Sequence, residues 1–184
     1  FDYRPAAKFQ TVISVGVLHH TGDCHGAIRH ICRHFIQDGG SILLGLYHSF
    51  GRQPFLDHFQ KMMTRGESEE LLIQEFGRLY GNTADSVLLN SWFRDQVMHP
   101  HETQHTFQEV RSLLQSLNFR ITSTSLNKFQ PIVDYRELEN SEAELEITAR
   151  NALRVGRYFP GFFIVMAEHT PEGNQPKAPA RSGA

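Results

Sequence analysis

Two short stretches of the sequence end in polar and aromatic side chains that could bind or activate a small molecule. The first, VGVLHH, ends in His19 and His20, and the second, LYHSFGR, contains Tyr47, His48 and Arg52. An imidazole can exchange a proton near neutral pH, whereas a phenol and a guanidinium bind hydroxylated or anionic groups. The two stretches therefore predict a site for acid–base chemistry and for binding such a group.

Both stretches follow apolar runs that are typical of buried strands. Residues 11–18 predict a strand buried on both faces, and residues 41–47 predict a second. Between them, apolar residues recur at helical spacing from Asp23 onward, and Gly39-Gly40 is expected to end this helix as a left-handed cap. A strand, a helix and a strand form a right-handed parallel unit. Because ligands bind beyond the carboxyl ends of such strands, the two polar stretches should lie side by side.

A family resemblance runs through these elements. VISVGVLHHTGD, followed by a helix, DGG and LLGLYHSFGR, resembles the fourth and fifth strands of a class I S-adenosylmethionine-dependent methyltransferase. WFRDQVMHPHETQHT at 92–106 and GFFIVM at 161–166 extend the resemblance over most of residues 9–168. It implies an α/β fold, namely the strand 4–7 portion of a Rossmann-like sheet in three α/β/α layers, with a helical insertion between strands. It also implies methyl transfer to an acceptor that the sequence does not identify.

The resemblance assigns roles to particular side chains. His20 is the first candidate for a catalytic base, and His19 is the second. The residues expected to contact S-adenosylmethionine, mostly through backbone and small side chains, are Ser14, Val15, Gly16, Val17, Leu18 and His19. The residues expected to contact the acceptor are Tyr47, His48, Arg52, Trp92, Asp95, His99, His101 and Glu102. A structural alternative stays open for each, such as an ion pair between Arg52 and a carboxylate like Asp57.

The glycine-rich cofactor turn of the family has no counterpart in this chain, since only eight residues precede Phe9. We therefore expect the acceptor-side, carboxyl-terminal half of a methyltransferase domain that is inactive alone, whether as a fragment, a split protein or a degenerate homologue. The divided sheet would expose an edge, so a missing amino-terminal half or a partner protein should cover it. The competing hypothesis is a non-catalytic, methyltransferase-like structural or assembly subunit.

Periodicity divides the rest of the chain into elements. Residues 1–169 are expected to form the methyltransferase-like part and residues 170–184 a disordered tail. Residues 53–105 are the insertion, expected to act as a lid. Its first helix should have Pro54 in the first turn; the second should begin at Ser68 and end before Gly81, and the third should span 83–97. The last predicted elements are a helix over 106–117, an edge strand over 119–125, one acidic helix over 137–155 and a buried strand over 161–167.

A possible metal motif lies between the insertion and the next helix. Residues 101–105 match the HExxH pattern of zinc peptidases, which binds zinc only when it lies inside a helix. Here Pro100 precedes the motif, and Thr106 to Glu109 reads as a capping box that begins the next helix. The segment is therefore predicted to be a loop without an assigned metal, and a metal-dependent hydrolase that uses the His99–His105 cluster is kept as a third hypothesis.

Composition narrows the class of protein. The 184 residues, 40% of them hydrophobic, suffice for one domain with a core. A formal net charge of −2 without a basic run argues against a nucleic-acid partner. No apolar run approaches the roughly 20 residues of a membrane span and no signal-peptide pattern opens the chain, so a soluble, cytoplasmic protein is expected. Cys24 and Cys32 would lie about 12 Å apart along one helix, which predicts free thiols.

Overall fold

The computed structural model describes residues 2–81 and 85–170. It contains a mixed four-stranded sheet with helices on both sides. The strands are β1 (Phe9–Val15), β2 (Ile36–Tyr47), β3 (Phe119–Thr124) and β4 (Phe162–His169), in the order β1-β2-β4-β3. The helices are α1 (Cys24–His34), α2 (Ser49–Thr64), α3 (Glu69–Tyr80), α4 (Ser86–Gln96), α5 (Phe107–Gln115), α6 (Tyr135–Ser141) and α7 (Glu144–Arg154). Only β1 and β2 are parallel, because β4 runs antiparallel to both of its neighbours.

The unit formed by β1, α1 and β2 confirms the predicted parallel pair with a crossover helix. The side chain of Asp23 accepts a hydrogen bond from the Gly26 N–H and so caps α1. The predicted end of this helix at Gly39-Gly40 is wrong, because α1 ends at His34 and both glycines lie within β2. The Phe35 carbonyl accepts a hydrogen bond from the Phe9 N–H, and this bond draws the chain into the sheet well before the glycines.

The structure corrects the predicted burial of the first strand. In the described part of the chain, β1 is an edge strand that pairs only with β2. The side chains of Phe9, Ile13 and Val15 are 50%, 69% and 43% exposed, so β1 is not buried on both faces. Residues 41–47 of β2 are buried as predicted except for the half-buried Leu43, whereas residues 161–167 alternate between buried and half-buried along β4. Both β2 and β4 have a neighbouring strand on each side. An apolar run therefore identified the strand but not its position in the sheet.

The helical insertion has a core of its own. Aromatic and leucine side chains from α2, α3 and α4 pack together there: Phe55, Phe59, Leu72, Phe76, Leu79 and Phe93. The second helix has the predicted Ser68 cap and ends at the left-handed Gly81. The first begins at Ser49, earlier than predicted, because His48 caps it; Pro54 is consequently an interior residue. The third begins at Ser86, and part of its predicted start lies outside the described residues.

The carboxyl-terminal part follows the prediction with one break. The Thr106–Glu109 capping box begins α5 as predicted, and β3 forms the other edge of the sheet. The acidic stretch 137–155 is not one helix but the end of α6 followed by α7, since Glu142 between them turns inward.

The remaining expectations concern thiols, the tail and membranes. Cys24 and Cys32 are free and buried, and burial raises the pKa of their thiols to about 11 and about 12. The tail predicted for 170–184 falls, beyond Thr170, outside the described residues. Across the described part of the chain, no helix combines the length and the apolar character needed to cross a bilayer.

Gly161, just before β4, provides a test of this packing. It has φ +59°, and a Cβ there would lie 2.6 Å from the Arg52 Cα, whereas Gly66 at φ +76° has open space around it. We expect Gly66→Ala to lower the free energy of unfolding by about 1 kcal/mol, the cost of a left-handed alanine. Gly161→Ala should cost about 2 kcal/mol more, because backbone must also move. Urea denaturation measures both, and equal losses would contradict the close approach of β4 to α2.

Candidate active site

A cleft of about 480 Å³ opens at the carboxyl ends of β1 and β2. The strands, the insertion and the loop before β4 all contribute to its walls. Its lining residues are Gly16, His20, Tyr47, Tyr80, Trp92, Asp95, Gln96, Tyr158, Pro160 and Phe162. Five of the residues predicted from sequence thus converge here, and both strand ends contribute to the same cleft, as the parallel topology required.

The amide of Gln96, at the end of α4, organises one wall of the cleft. Its Nε2 donates to Asp95 Oδ2 at 2.7 Å, which orients the amide because a carboxylate only accepts. Its Oε1 then accepts from the hydroxyls of Tyr47 at 2.9 Å and Tyr158 at 2.7 Å. Burial raises the pKa of both phenols above their ordinary value, so the hydroxyls stay protonated.

Behind this wall lies Arg52, which is fully buried. Its guanidinium makes two hydrogen bonds to the Glu102 carboxylate, at 3.0 and 2.9 Å, and two more to the side chain and backbone of Gln96. It also stacks 4.0 Å from the centre of the Tyr47 ring. The ion pair predicted as an alternative for Arg52 is therefore present, but Glu102 and not Asp57 is the partner. Because four of its N–H groups donate to Glu102 and Gln96, Arg52 acts here as a positioning residue.

The two adjacent histidines differ in environment. His19 is 1% exposed, its ring lies 4.3 Å from that of Tyr47, and neither ring nitrogen has a hydrogen-bond partner among the described residues. Burial, followed by the nearby His20 and Arg52, lowers the pKa of His19 to about 3, so His19 is neutral. It lies in a 3-10 turn, Leu18–His20, and not on the strand itself.

His20 is half-buried and lines the cleft. Its Nδ1 lies 3.0 Å from the His101 carbonyl oxygen. Because a carbonyl can only accept, Nδ1 carries the proton and Nε2 of the neutral ring has a free lone pair. Of the two histidines, His20 is the one whose geometry suits a general base.

Residues 99–105 form the predicted loop, which runs across the strand ends. The Thr103 N–H donates to the His19 carbonyl at 2.8 Å, and the His105 N–H donates to the Tyr47 carbonyl at 2.9 Å. His101 Nε2 donates to the Thr21 carbonyl, and His99 stacks on His20 with ring centres 3.9 Å apart. His99, His101 and Glu102 thus support the turn and Arg52.

The metal hypothesis gains no support from this loop. Within residues 2–81 and 85–170, no group of three or more histidine, cysteine, aspartate or glutamate side chains could hold a metal ion. Glu102, which would be the base of a zinc peptidase, is paired with Arg52.

His48 faces away from the cleft. It is 1% exposed, accepts from the Phe50 N–H through Nδ1 and donates from Nε2 to Glu142 at 2.8 Å. The Glu142 carboxylate also accepts from the Phe107 and Gln108 N–H groups at the start of α5. This buried network joins α2, α5 and the α6–α7 break, and it leaves His48 no surface for a substrate.

The segment predicted to contact the cofactor, residues 14–19, is partly exposed and partly buried. Val15, Gly16 and Val17 are exposed, whereas Leu18 and His19 are buried. Sequence reasoning missed Tyr80, Gln96, Tyr158, Pro160 and Phe162. The only available signal was that Gln96 follows Asp95 at the end of a predicted helix.

Comparisons with known proteins show a fold. No protein-family model and no curated protein matches the chain. Among solved structures, it resembles PKMT2 from Rickettsia typhi with a TM-score of 0.57 and 14% identity, and PKMT2 in complex with AdoHcy with a TM-score of 0.58 and 12% identity. Each match covers 95% of this chain and 38% of PKMT2. A more distant likeness, with a TM-score of 0.42 and 16% identity over 91% of this chain and 64% of the other, is to an S-adenosylmethionine-dependent methyltransferase from Mesorhizobium loti.

The fold is therefore the α/β, Rossmann-like fold of methyltransferases, which confirms the predicted fold class. The chain spans about two fifths of the length of PKMT2.

The buried Arg52–Glu102 pair can be tested against an exposed pair. Glu102→Gln should lower the free energy of unfolding by about 3 kcal/mol or more, because it leaves a buried guanidinium without a counter-ion. The control is Glu146→Gln, which breaks a pair whose side chains are 52% and 41% exposed and should cost no more than about 0.5 kcal/mol. Chemical denaturation measures both losses. A Glu102→Gln loss as small as that of the control would contradict the role of this pair.

The neutral His19 predicts a dependence of stability on pH. In the unfolded chain, His19 takes up a proton below about pH 6.5, whereas in the folded chain it does so only near pH 3. The unfolded state thus binds more protons between these values, so stability falls as the pH drops from 6.5 towards 3. Compared with His19→Phe, the unsubstituted chain should lose up to about 1.4 kcal/mol more per pH unit. Unfolding curves at several pH values test this, and parallel profiles would refute it.

Proposed function

We propose that this chain is the acceptor-side part of an S-adenosylmethionine-dependent methyltransferase domain, with residues 1–169 as its carboxyl-terminal portion and residues 53–105 as a lid. The observation that carries the proposal is the cleft at the carboxyl ends of β1 and β2. In α/β sheets this is where ligands bind, and the related fold of PKMT2 was solved with AdoHcy. The cytoplasm is the proposed location, on the sequence grounds given above.

The residues present fit one side of such a cofactor. Gly16, at the edge of the cleft, has φ +75° and no atom within 4 Å of the position a Cβ would take. A bound molecule could therefore approach the backbone of residues 15–17 closely. When bound, the cofactor supplies a methyl group on a sulfonium, whose carbon–sulfur bond breaks with the electron pair left on sulfur. Residues that hold its other side would come from another part of the protein.

The side chains of the cleft would position the acceptor. His20 Nε2 can accept the acceptor's proton. Trp92, Tyr158 and Phe162 form apolar walls, which exclude water from a displacement that needs alignment more than acid–base help.

We propose that a further part of the site covers β1. Four large apolar side chains are exposed here: those of Phe9, Ile13 and Val15 in β1, and that of Val17 just after the strand. The outer edge of β1 has no strand partner among the described residues. An unpaired apolar edge tends to recruit another strand. We infer that the amino-terminal half of the domain, or a partner protein that replaces it, adds to the sheet at this edge.

The second candidate is a non-catalytic subunit with this fold. One observation favours it. Three residues predicted to bind the acceptor instead bond to other residues of the protein, namely His48, Arg52 and Glu102.

Calorimetric titration with S-adenosylhomocysteine separates the two candidates. It is run on this chain and on the longest native form recoverable from the source. We expect saturable binding by the longer form and little or none by the 184-residue chain, because the longer form holds both sides of the cofactor. Binding by neither form would refute the methyltransferase proposal and favour the non-catalytic subunit.

A further inference from the structure

We propose that the cleft binds an organic cation and that the methyl acceptor is accordingly an amine that arrives as its ammonium form. This inference rests on the proposed function and adds the chemical class of the acceptor. The first observation is the aromatic lining, to which Tyr47, Tyr80, Trp92, Tyr158 and Phe162 contribute. The Tyr80 ring lies 4.6 Å from Trp92 and 5.6 Å from Tyr158, so several ring faces and edges surround one small volume. Aromatic faces attract ammonium groups.

The hydrogen-bond pattern adds a second, independent reason. Because Asp95 orients the Gln96 amide, the Gln96 oxygen receives the hydroxyl protons of both Tyr47 and Tyr158. Each hydroxyl has only one proton, so the phenol oxygens can offer only lone pairs to a ligand. His20 Nε2 likewise offers a lone pair, since the ring proton is on Nδ1. Together with the Asp95 carboxylate, these three groups present hydrogen-bond acceptors, and they suit a ligand that donates several hydrogen bonds.

The charge of the lining agrees with this pattern. Among the ten lining residues, Asp95 is the one carboxylate, and there is neither a lysine nor an arginine. Arg52 lies behind Tyr47, and its guanidinium is paired with the Glu102 carboxylate. This pairing neutralises the positive charge of Arg52, so it adds no net positive charge to the cleft. An anionic acceptor would meet Asp95 without a cationic partner, whereas an ammonium group would meet a counter-ion. A cationic acceptor thus replaces the hydroxylated or anionic acceptor that the phenol and guanidinium at the end of the second strand led us to expect.

An ammonium acceptor also gives His20 a role. Its nitrogen has no lone pair until one proton leaves, and His20 Nε2 can take that proton and form an imidazolium. The neutral nitrogen then forms the new bond to the methyl carbon while the carbon–sulfur bond breaks and its electron pair stays on sulfur. The positive charge passes from the sulfonium to the methylated nitrogen, and it stays next to Asp95 and the aromatic rings.

The single tryptophan of the chain makes the cleft observable, because all tryptophan emission comes from Trp92. We would titrate the 184-residue chain with n-butylammonium and with tetramethylammonium, and in parallel with 1-butanol and butyrate at the same ionic strength. The cations should change the emission saturably, and the neutral and anionic compounds should not. Asp95→Asn keeps a hydrogen-bond acceptor for Gln96 but removes the charge, and it should weaken cation binding by about fivefold, as expected for an exposed ion pair. The control is Asp38→Asn, whose carboxylate is 87% exposed and should leave binding unchanged.

Three outcomes would overturn the inference on this chain alone. The first is the absence of a saturable response to either cation up to the solubility limit of its salt. The second is equal binding of 1-butanol and n-butylammonium, and the third is equal cation binding by Asp95→Asn and the unsubstituted chain.

A second arm separates the acceptor from the sulfonium of the cofactor, which is also a cation. On the longer form saturated with S-adenosylhomocysteine, n-butylammonium should still bind, because the acceptor and the cofactor occupy different parts of the site. Displacement of the ammonium by S-adenosylhomocysteine would assign the cleft to the cofactor and refute an amine acceptor. Failure of S-adenosylhomocysteine to bind, with cation binding intact, would instead count against the proposed methyltransferase and leave the cation site standing.

Discussion

The fully buried guanidinium of Arg52 is the constraint on which the rest of the site depends. A buried charge is tolerated only when a counter-ion and hydrogen-bond acceptors surround it. Arg52 receives the carboxylate of Glu102 from the loop, the side-chain and backbone oxygens of Gln96 from α4, and the ring face of Tyr47 from β2. One side chain thus forces the loop, the insertion and the sheet together. The cleft is held together because separating these three parts would leave the buried guanidinium without its counter-ion and hydrogen-bond acceptors.

The same constraint determines what the cleft offers to a ligand. Gln96 bonds Arg52 and the two phenols with one oxygen and Asp95 with its nitrogen, so the wall is a chain of bonds whose proton positions are fixed. A wall whose dipoles are fixed in this way needs no reorganisation when a charge develops near it. This is the sense in which residues without access to a substrate, such as Arg52, can still determine which substrate binds.

Sequence patterns predicted the helices and strands better than they predicted which strands and side chains lie next to each other. The apolar runs and helical spacing located β1, α1 and β2, and local caps such as Thr106–Glu109 located helix starts, because those features depend on residues close in the chain. They did not predict that β1 would be exposed, since an edge strand and a central strand can have the same composition. Nor could they find Glu102 as the partner of Arg52, 50 residues away, because that pairing depends on how the insertion folds back.

The most direct test of the account is a crystal structure of the longest native form in complex with S-adenosylhomocysteine. The account predicts that the ligand lies across the carboxyl ends of β1 and β2, with its sulfur directed into the cleft beside Gly16 and His20, and that a preceding part of the chain or a partner pairs with β1. A ligand bound elsewhere, or a β1 edge that is still open in the complex, would contradict it.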